Sequence, residues 1–366
     1  MNKRILILAN DFATIVNFRK ELLSSLISDG YELIVSVPYH ERVCEIEQLG
    51  CSIVNNDKMS RRGTNPVKDL GLYKYYKKLI KQLRPDIVLS FTIKPNVYGG
   101  LACRKYNIPH IANITGLSSA VVKRGLLQFV TLFLYRMGLK GCDCVFFQNQ
   151  YNKDFFIKKK IVKSNYEMLP GSGVNLDIHQ YQEYPNNQHK TKFAFVGRIL
   201  KDKGVNELAW CARNLEDNQN VEFVVVGDVD ANEDNPFLDI KNVQCVGYQK
   251  DVRPYLKEAD ALILPSYHEG LANVLLEASA NGRPVLASNI PGCIETFDEG
   301  ETGFGFPAKD NQALLMAIER FMVLSKEEKR EMGRKARRKV EIEFSRSIVV
   351  SIYKKKIEEI WEKKSV

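Results

Sequence analysis

Residues 261–288 read ALILPSYHEGLANVLLEASANGRPVLAS, and they contain the unit from which the fold can be worked out. Two short apolar runs, ALILP and PVLAS, flank a longer segment of helical character, which is the pattern of a βαβ unit in a parallel sheet. Similar runs precede it as FAFVG, EFVVVG and VQCVG, and occur in the first half of the chain as RILILA, ELIVSV, DIVLSF, HIANI and CVFFQN. The sequence therefore predicts an α/β protein with two doubly wound parallel sheets.

A polar stretch between about residues 171 and 190 separates the two series of strands, and we interpret it as a linker. A chain of 366 residues exceeds the size at which single cores stop growing, so two domains are expected. We place the N-terminal domain at residues 1–175 and the C-terminal domain at residues 190–345. Residues 346–366 are predicted to form a helix that packs back toward the N-terminal domain. Two Rossmann-like domains of this kind are expected to face each other across a cleft.

Composition narrows the classes of protein. Hydrophobic residues make up 45% and charged residues 27% of the chain, which excludes a disordered or collagen-like protein. The net charge of +9 favours anionic partners. The eight cysteines have no paired metal-ligand spacing, which fits a reducing cytosol. The apolar run at the start is short and is predicted to be a first strand instead of a signal peptide.

The longest apolar stretch, Leu126 to Leu139, is shorter than a membrane span and is flanked by Lys123, Arg124 and Lys140. No transmembrane helix is predicted. Two interpretations of the stretch stay open, because it could lie in a lipid interface or form an ordinary buried helix.

Residues suited to holding an anion follow two of the predicted strands. The loop after ALILP carries Glu269, and the amides of Gly270, Leu271, Ala272 and Asn273 are expected at a helix N-terminus, where they can bind a diphosphate. Glu277 lies about two turns further on and can accept hydrogen bonds from sugar hydroxyls. The run FAFVGRILKDKG ends its strand at Gly197 and then presents Arg198 and Lys203. Two cations there can stabilise the charge that grows on a departing diphosphate.

Three segments together, VGRILKDKG, EGLANVLLEA and ETGFGFPAKD, resemble the retaining glycosyltransferases of family four, which have the GT-B fold. The resemblance covers nearly the whole chain. Further segments, among them NFRKELL and FTIKPNVYGG, resemble the subgroup that extends undecaprenyl-diphosphate-linked sugars in capsule, O-antigen or protein-glycan assembly. The first turn lacks a G-x-G-x-x-G fingerprint, which weakens a dehydrogenase interpretation.

The resemblance implies roles for individual residues. Arg198 and Lys203 would hold the donor diphosphate, Glu269 would lie beside the transferred sugar, and Glu277 would bind the ribose. Backbone at Val246, Gly247 and Tyr248 would hold the base. The donor would be a UDP-sugar, with an N-acetylhexosamine as first choice and a hexose as the other.

The N-terminal domain is expected to bind the acceptor. The candidate contacts are Asn17, Arg19, Lys94, Asn96, Asn113, Thr115 and Gly116. Many relatives carry a histidine in the loop that here reads NITGL, so no catalytic histidine is assumed. His110 is either a packed residue or a catalytic one, and for His268 both alternatives are open. The acidic run DVDANEDNP is interpreted as a solvated loop, and the reaction is expected to need no metal or other cofactor.

These observations predict a retaining transferase that moves a sugar from a UDP-sugar to a lipid-diphosphate-linked glycan. It is expected in the cytoplasm, peripherally associated with the anionic inner face of the cytoplasmic membrane. A sugar-nucleotide epimerase of the same fold and a non-catalytic membrane-surface scaffold are the alternatives. Nucleic-acid binding is not expected, because the basic residues are spread along the chain and form no recognised motif.

Overall fold

The structure is a computed structural model that describes residues 3–59, 65–116, 121, 125–186, 190–231 and 233–365. The chain divides into two units. The first comprises Met1–Ser172 together with Ser347–Val366, and the second comprises Gly173–Arg346. Residues 187–189 of the predicted linker lie outside the described residues.

The first unit contains a seven-stranded sheet in which every pairing is parallel. The strand order is β3-β2-β1-β4-β5-β6-β7, so the order reverses between β1 and β4. The elements are β1 (Arg4–Leu8), α1 (Phe12–Val16), α2 (Lys20–Ser28), β2 (Glu32–Val37), α3 (Cys44–Glu47), β3 (Ser52–Asn55), α4 (Pro66–Leu83), β4 (Ile87–Phe91), a π-helical turn (Pro95–Gly99), α5 (Gly100–Tyr106), β5 (His110–Ile114), α6 (Leu126–Leu139), β6 (Cys144–Phe147), α7 (Gln150–Lys158) and β7 (Tyr166–Met168).

The second unit contains a six-stranded parallel sheet of order β10-β9-β8-β11-β12-β13, which reverses between β8 and β11. The elements are β8 (Thr191–Val196), a 3-10 turn (Lys201–Lys203), α8 (Val205–Asn214), β9 (Val221–Val226), β10 (Val243–Cys245), α9 (Arg253–Glu258), β11 (Ala261–Leu264), α10 (Asn273–Ala280), β12 (Val285–Ser288), a 3-10 turn (Ile294–Thr296), β13 (Gly303–Phe306), α11 (Asn311–Met322), α12 (Lys326–Glu343) and α13 (Arg346–Ser365).

The predicted fold class, two doubly wound parallel sheets, is confirmed. Central strands such as β4 are buried along their whole length, which is why they read as continuous apolar runs. Three short strands, β3, β7 and β13, were not predicted from the sequence. Among them β13 has the sequence GFGF, in which two glycines hide the strand pattern.

Local sequence also sets where helices begin and end. Asn65 caps α4 by accepting hydrogen bonds from two amides of its first turn, with Pro66 at the first helical position. Ser325 and Glu328 form a reciprocal capping box at the start of α12.

Helix α13 is the last element of the chain, and from Ser347 onward it belongs to the first unit. Its residues Val349, Tyr353, Ile357 and Ile360 are buried in one core with residues of β1 and β2. Their spacing of three and four residues places them on one face of the helix. A helix made after the whole second unit thus completes the core of the first.

Candidate active site

The predicted cations of the second unit and Glu269 follow strands at the carboxyl edge of its sheet. Gly197 and Arg198 follow β8, and Lys203 ends the short 3-10 turn. Glu269 lies on the loop after β11. These are the two neighbouring strands at which the strand order reverses. Doubly wound sheets bind their ligands at such a switch point.

The two loops are packed against each other through their backbones. The amide of Tyr267 donates a hydrogen bond of 2.9 Å to the carbonyl of Asp202. Gly204 has a φ of +71°, and a Cβ there would lie 2.0 Å from the carbonyl oxygen of Pro265. Only glycine fits this approach, so the loop that carries Lys203 lies directly against the loop that carries Glu269.

Lys203 and Glu269 form an ion pair, with 2.5 Å between Nζ and Oε1. Both side chains are largely buried. The ammonium has three donors and a carboxylate can accept several hydrogen bonds, so the pair leaves each group with further capacity. Two of the three residues predicted to be catalytic are therefore in contact.

Arg198, the third, forms an ion pair with Asp230 on the loop after β9, with 2.5 Å between Nη1 and Oδ2. Asp230 was not among the residues selected from the sequence. It lies in the acidic run that was interpreted as a solvated loop. Asp228 and Val229 at the start of that run are exposed, whereas Asp230 is half-buried and ion-paired. The pairing of β8 with β9 could have identified Asp230, because the loops that follow two neighbouring parallel strands must lie side by side.

Backbone hydrogen bonds hold the start of the acidic loop. The amide of Ile199 donates to the carbonyl of Asp228 over 2.8 Å, and the amide of Asp230 donates to the carbonyl of Ile199 over 3.0 Å. The loops after β8 and β9 therefore stay paired beyond the strand ends. The Asp228 carboxylate also accepts a 2.8 Å hydrogen bond from the amide of Tyr248.

The N-terminus of α10 supplies fewer amides than predicted. The helix begins at Asn273, and its cap residue Ala272 makes no side-chain cap bond. The amide of Ala272 donates to the carbonyl of Gly292 over 2.8 Å, so the prediction that this amide binds a diphosphate is wrong. For Gly270, Leu271 and Asn273 a diphosphate contact stays a prediction.

Glu277 lies on α10 and is half-buried. Burial raises the pKa of its carboxyl to about 7, although the positive charge of Arg346 acts in the opposite direction. A carboxyl group with this pKa changes its charge near neutral pH. Its predicted contact with a ribose would be strongest when it is ionised.

The turn at Val246, Gly247 and Tyr248 is held firmly by the second unit. The Val246 amide donates to the Val225 carbonyl, and the Gly247 carbonyl accepts from the Gly227 amide. With the bond from the Tyr248 amide to Asp228 and the 2.9 Å bond from Gln249 Nε2 to the Val246 carbonyl, four backbone groups of the turn are already bonded. The shape of the turn is therefore fixed, and fewer of its backbone groups remain available for the predicted contact with the base.

In the first unit, two predicted acceptor contacts are part of a buried polar network. The side-chain oxygen of Asn96 accepts from Ser90 Oγ over 2.6 Å, and its Nδ2 donates to the carbonyl of Asn113 over 2.8 Å. The Asn113 amide group donates to the carbonyl of Ser90, and its oxygen accepts from the Tyr353 hydroxyl. Because these side chains are buried and bonded to each other, we withdraw the prediction that Asn96 and Asn113 contact an acceptor.

His110 belongs to the same network. Its Nε2 lies 2.7 Å from Ser90 Oγ, and burial lowers the pKa of the imidazole to about 4. The ring is therefore neutral at physiological pH and packed in the sheet, which is the first of the two alternatives that the sequence left open. His268, in contrast, is exposed.

The remaining predicted acceptor contacts differ in environment. The Lys94 ammonium lies 2.8 Å from the Asp69 carboxylate in a largely buried ion pair, so this cation already has a counter-ion. Arg19 is buried, with its guanidinium over the ring of Phe91 and one nitrogen donating to the Phe18 carbonyl. Neither observation tests a contact with an acceptor, so the predictions for Lys94 and Arg19 stay predictions. The predictions for Asn17, Thr115 and Gly116, which are exposed or half-buried, are untested.

Two family models match the chain. The model described as "Glycosyl transferases group 1" matches residues 179–339, and the model described as "Glycosyl transferase 4-like" matches residues 4–149. A curated relative from Campylobacter jejuni is 29% identical over 346 residues, which cover 89% of this chain and 90% of the relative. That protein is named N,N'-diacetylbacillosaminyl-diphospho-undecaprenol alpha-1,3-N-acetylgalactosaminyltransferase.

Solved structures share the fold. A glycosyltransferase from Rickettsia africae superposes with a TM-score of 0.81 at 20% identity and covers 98% of this chain and 99% of its own. The protein HepE from Anabaena, solved in complex with UDP, superposes with a TM-score of 0.79 at 15% identity and covers 97% of this chain and 100% of its own.

Proposed function

The chain belongs to the glycosyltransferases that those two family models describe, and on this premise we propose that it moves a sugar from a UDP-sugar to a lipid-diphosphate-linked saccharide. Membership in this family favours sugar transfer over the epimerase and scaffold alternatives. The observation that carries the proposal is the group formed by Lys203, Glu269 and Arg198 at the switch point of the second sheet.

The proposed chemistry at this group is electrostatic. When the bond between the sugar and the diphosphate breaks, negative charge grows on the leaving phosphate. Arg198 and Lys203 would meet that charge with fixed cations, and Glu269 would position the sugar. Because two cations serve the diphosphate, the proposed reaction needs no metal ion. We expect transfer to continue in the presence of EDTA.

We propose that the configuration of the transferred sugar is retained by attack on the front face. In that route the departing phosphate takes the proton of the acceptor hydroxyl, so no side chain has to act as a base. The neutral, packed His110 agrees with this route, since its position in the network leaves it a structural role. The relative from Campylobacter supports an N-acetylhexosamine as the sugar and a polyprenyl-diphosphate-linked saccharide as the acceptor. A hexose is the second choice.

The acceptor class suggests association with a membrane, and α6 offers a surface for it. One face of α6 packs into the first unit through Thr131, Tyr135 and Leu139, while Leu126, Phe129 and Phe133 are 79%, 70% and 51% exposed. Within the described part of the chain, none of the helices combines the length and the apolar composition that a membrane crossing requires.

Cations surround the C-terminal half of α6. Arg136 donates to the carbonyl of Lys159, and Arg104 donates to the carbonyls of Met137 and Lys140, which fixes these four basic residues near the helix. Lys123 and Arg124, the basic residues predicted to flank its other end, lie outside the described residues. Exposed aromatic side chains beside a basic rim fit the interface of an anionic bilayer. We propose that this face holds the enzyme peripherally at the cytoplasmic leaflet.

A vesicle assay tests the membrane part of the proposal. The wild type should sediment with vesicles that contain phosphatidylglycerol and much less with pure phosphatidylcholine. Replacing Phe129 and Phe133 together by serine should abolish sedimentation. Leu238→Ser is the matched control, because Leu238 is an exposed apolar residue of the second unit. Equal binding of all three proteins would rule out α6 as the membrane contact.

The donor is tested by calorimetry with UDP, GDP, ADP, CMP and their sugars, followed by transfer to a lipid-diphosphate-linked saccharide. Selective binding of UDP and one UDP-sugar, with label appearing in the lipid fraction, is the expected result. Binding of GDP-mannose alone would show that the donor is not a UDP-sugar. Release of an epimerised sugar nucleotide without acceptor would indicate the epimerase instead.

A further inference from the structure

Each cation of the candidate site has a carboxylate as its counter-ion. Lys203 is paired with Glu269, and Arg198 is paired with Asp230. Resting on the proposed function, we propose that Asp230 competes with the donor diphosphate for Arg198. The diphosphate displaces this carboxylate when it binds, and the carboxylate takes the cation back when UDP leaves.

The backbone makes Asp230 the fixed partner of this pair. Its amide donates to the Ile199 carbonyl, one residue after Arg198, and the Ile199 amide donates to the carbonyl of Asp228. These bonds hold the two loops in register beyond the strand ends. The backbone position of Asp230 is therefore set by the sheet and does not depend on the ion pair itself.

Exposure makes Arg198 the movable partner. The Arg198 side chain is 58% exposed, whereas that of Asp230 is 18% exposed. A pair with one member this exposed is only weakly stabilising, since water and salt screen it. A diphosphate can offer the guanidinium two charged oxygens in a bidentate arrangement, which is the stronger type of interaction. The exchange of one counter-ion for the other is therefore favourable and reversible.

The pair between Lys203 and Glu269 has a different environment. The side chains of Lys203 and Glu269 are 25% and 14% exposed, so neither is as free to move as the Arg198 side chain. Glu269 is also expected to contact the sugar, and its replacement would change more than one interaction. Asp230 is the carboxylate through which the competition can be measured alone.

The proposed exchange predicts that a substitution in the binding site strengthens the binding of the ligand. Asp230→Asn keeps the size of the side chain and its ability to accept a hydrogen bond, but it removes the competing charge. We expect this variant to bind UDP about threefold to fivefold more tightly than the wild type, because a pair of this kind contributes up to about 1 kcal/mol. Uridine, which has no phosphate, should bind the two proteins equally.

Two controls separate competition from a simple change of net charge. Asp234→Asn removes an exposed carboxylate from the same loop, and it should change UDP affinity less than twofold. In the background of Arg198→Ala, adding Asp230→Asn should have no effect, because the cation for which the groups compete is absent. Calorimetry with UDP and uridine on the full chain measures all of these affinities.

The outcomes are distinguishable. Unchanged or weaker UDP binding by Asp230→Asn would overturn the inference, as would equal tightening by Asp234→Asn. Asp230→Ser provides a second variant with the same expectation, and thermal unfolding checks that both fold. If the wild type fails to bind UDP, the proposed function itself is wrong and this inference is overturned with it.

Discussion

The carboxyl edges of the two sheets have the same topology but use their polar side chains differently. In the second unit, Lys203 and Arg198 form ion pairs that leave further hydrogen-bonding capacity. In the first unit, Asn96 after β4 and Asn113 near the end of β5 are buried and bonded to each other. His110, at the start of β5, joins their network through Ser90. The difference teaches that position at a switch point does not make a polar residue a ligand contact. What matters is whether its hydrogen bonds are already used within the fold.

The comparison leads to an expectation for substitutions. At the edge of the second sheet, removing a cation should lower activity while the fold persists. At the edge of the first sheet, removing a polar group should lower stability, because buried partners are left without hydrogen bonds.

The largest expected effect is that of Lys203→Ala. Loss of a cation that stabilises the leaving diphosphate should lower kcat/KM by about 10² to 10³-fold. The variant should remain folded but with a lower thermal unfolding midpoint, because the change leaves the largely buried Glu269 carboxylate without its counter-ion. Lys201→Ala, an exposed lysine of the same turn, is the control and should retain full activity. Equal losses in both variants would break the comparison.

A smaller effect, on stability, is expected for Asn96→Ala. The change removes the Asn96 bonds to the Ser90 hydroxyl, which keeps His110 Nε2 as a partner, and to the Asn113 carbonyl. Loss of these buried bonds should lower the free energy of unfolding by about 1–3 kcal/mol. Urea unfolding measures this loss, and Asn17→Ala, at an exposed position, should change the free energy by less than about 0.5 kcal/mol. If Asn96→Ala unfolds like the wild type but loses activity, the withdrawn acceptor contact has to be restored.

His110 in the buried network of the first unit should make the stability of the protein depend on pH. The pKa of His110 is lowered to about 4 in the folded chain, whereas an unperturbed imidazole has a pKa near 6.5. The unfolded chain binds the proton more readily between these values. Stability is therefore fully present above about pH 6.5 and falls as the pH drops toward 4, by up to about 1.4 kcal/mol per pH unit.

Urea unfolding of the wild type and of His110→Asn at pH 5.5, 6.5 and 7.5 measures this dependence. The variant should lose less stability between pH 6.5 and 5.5 than the wild type does. Parallel curves would show that the histidine does not contribute.

The smallest effect concerns Glu277 and donor binding. Its pKa of about 7 means that the carboxyl is half protonated near neutral pH. If the ionised form accepts hydrogen bonds from the ribose, affinity for a UDP-sugar should rise about fivefold to tenfold from pH 6 to pH 8. Calorimetry at several pH values measures this affinity. A UDP-sugar is the ligand because its phosphates do not titrate between pH 6 and pH 8. Glu277→Gln should flatten the dependence, and a variant that keeps the wild-type slope would place the titrating group elsewhere.

Much of the fold could be predicted because buried parallel strands occur in the sequence as short apolar runs between helical segments. Candidate donor-side residues could be selected in the same way, since Arg198, Lys203 and Glu269 lie in the segments that follow such strands. The acceptor side could not be found in this way. An asparagine after a strand looks the same in sequence whether it faces a ligand or a neighbour, and the partner of Asn113 is Tyr353, 240 positions away.

Asp230 was missed for a related reason. An acidic run of nine residues resembles a solvated loop when it is considered alone. Its contact with Arg198 depends on the pairing of two strands that are separated along the chain by α8. Sequence spacing shows what a loop contains, but the order of the strands decides which loop lies beside it.

The course of the chain through its two units affects how the protein is made. The ribosome completes β1 to β7 early, yet the helix that fills their core with Val349, Tyr353, Ile357 and Ile360 is synthesised only after the whole second unit. At roughly 5–20 residues per second, this is a delay on the order of 10 to 30 seconds. The nascent first unit must wait with an open apolar surface while the second unit can fold. Chaperones that bind nascent chains should therefore stay on the first half until α13 has been synthesised, and a stop codon before α13 should make the first unit a substrate for proteolysis.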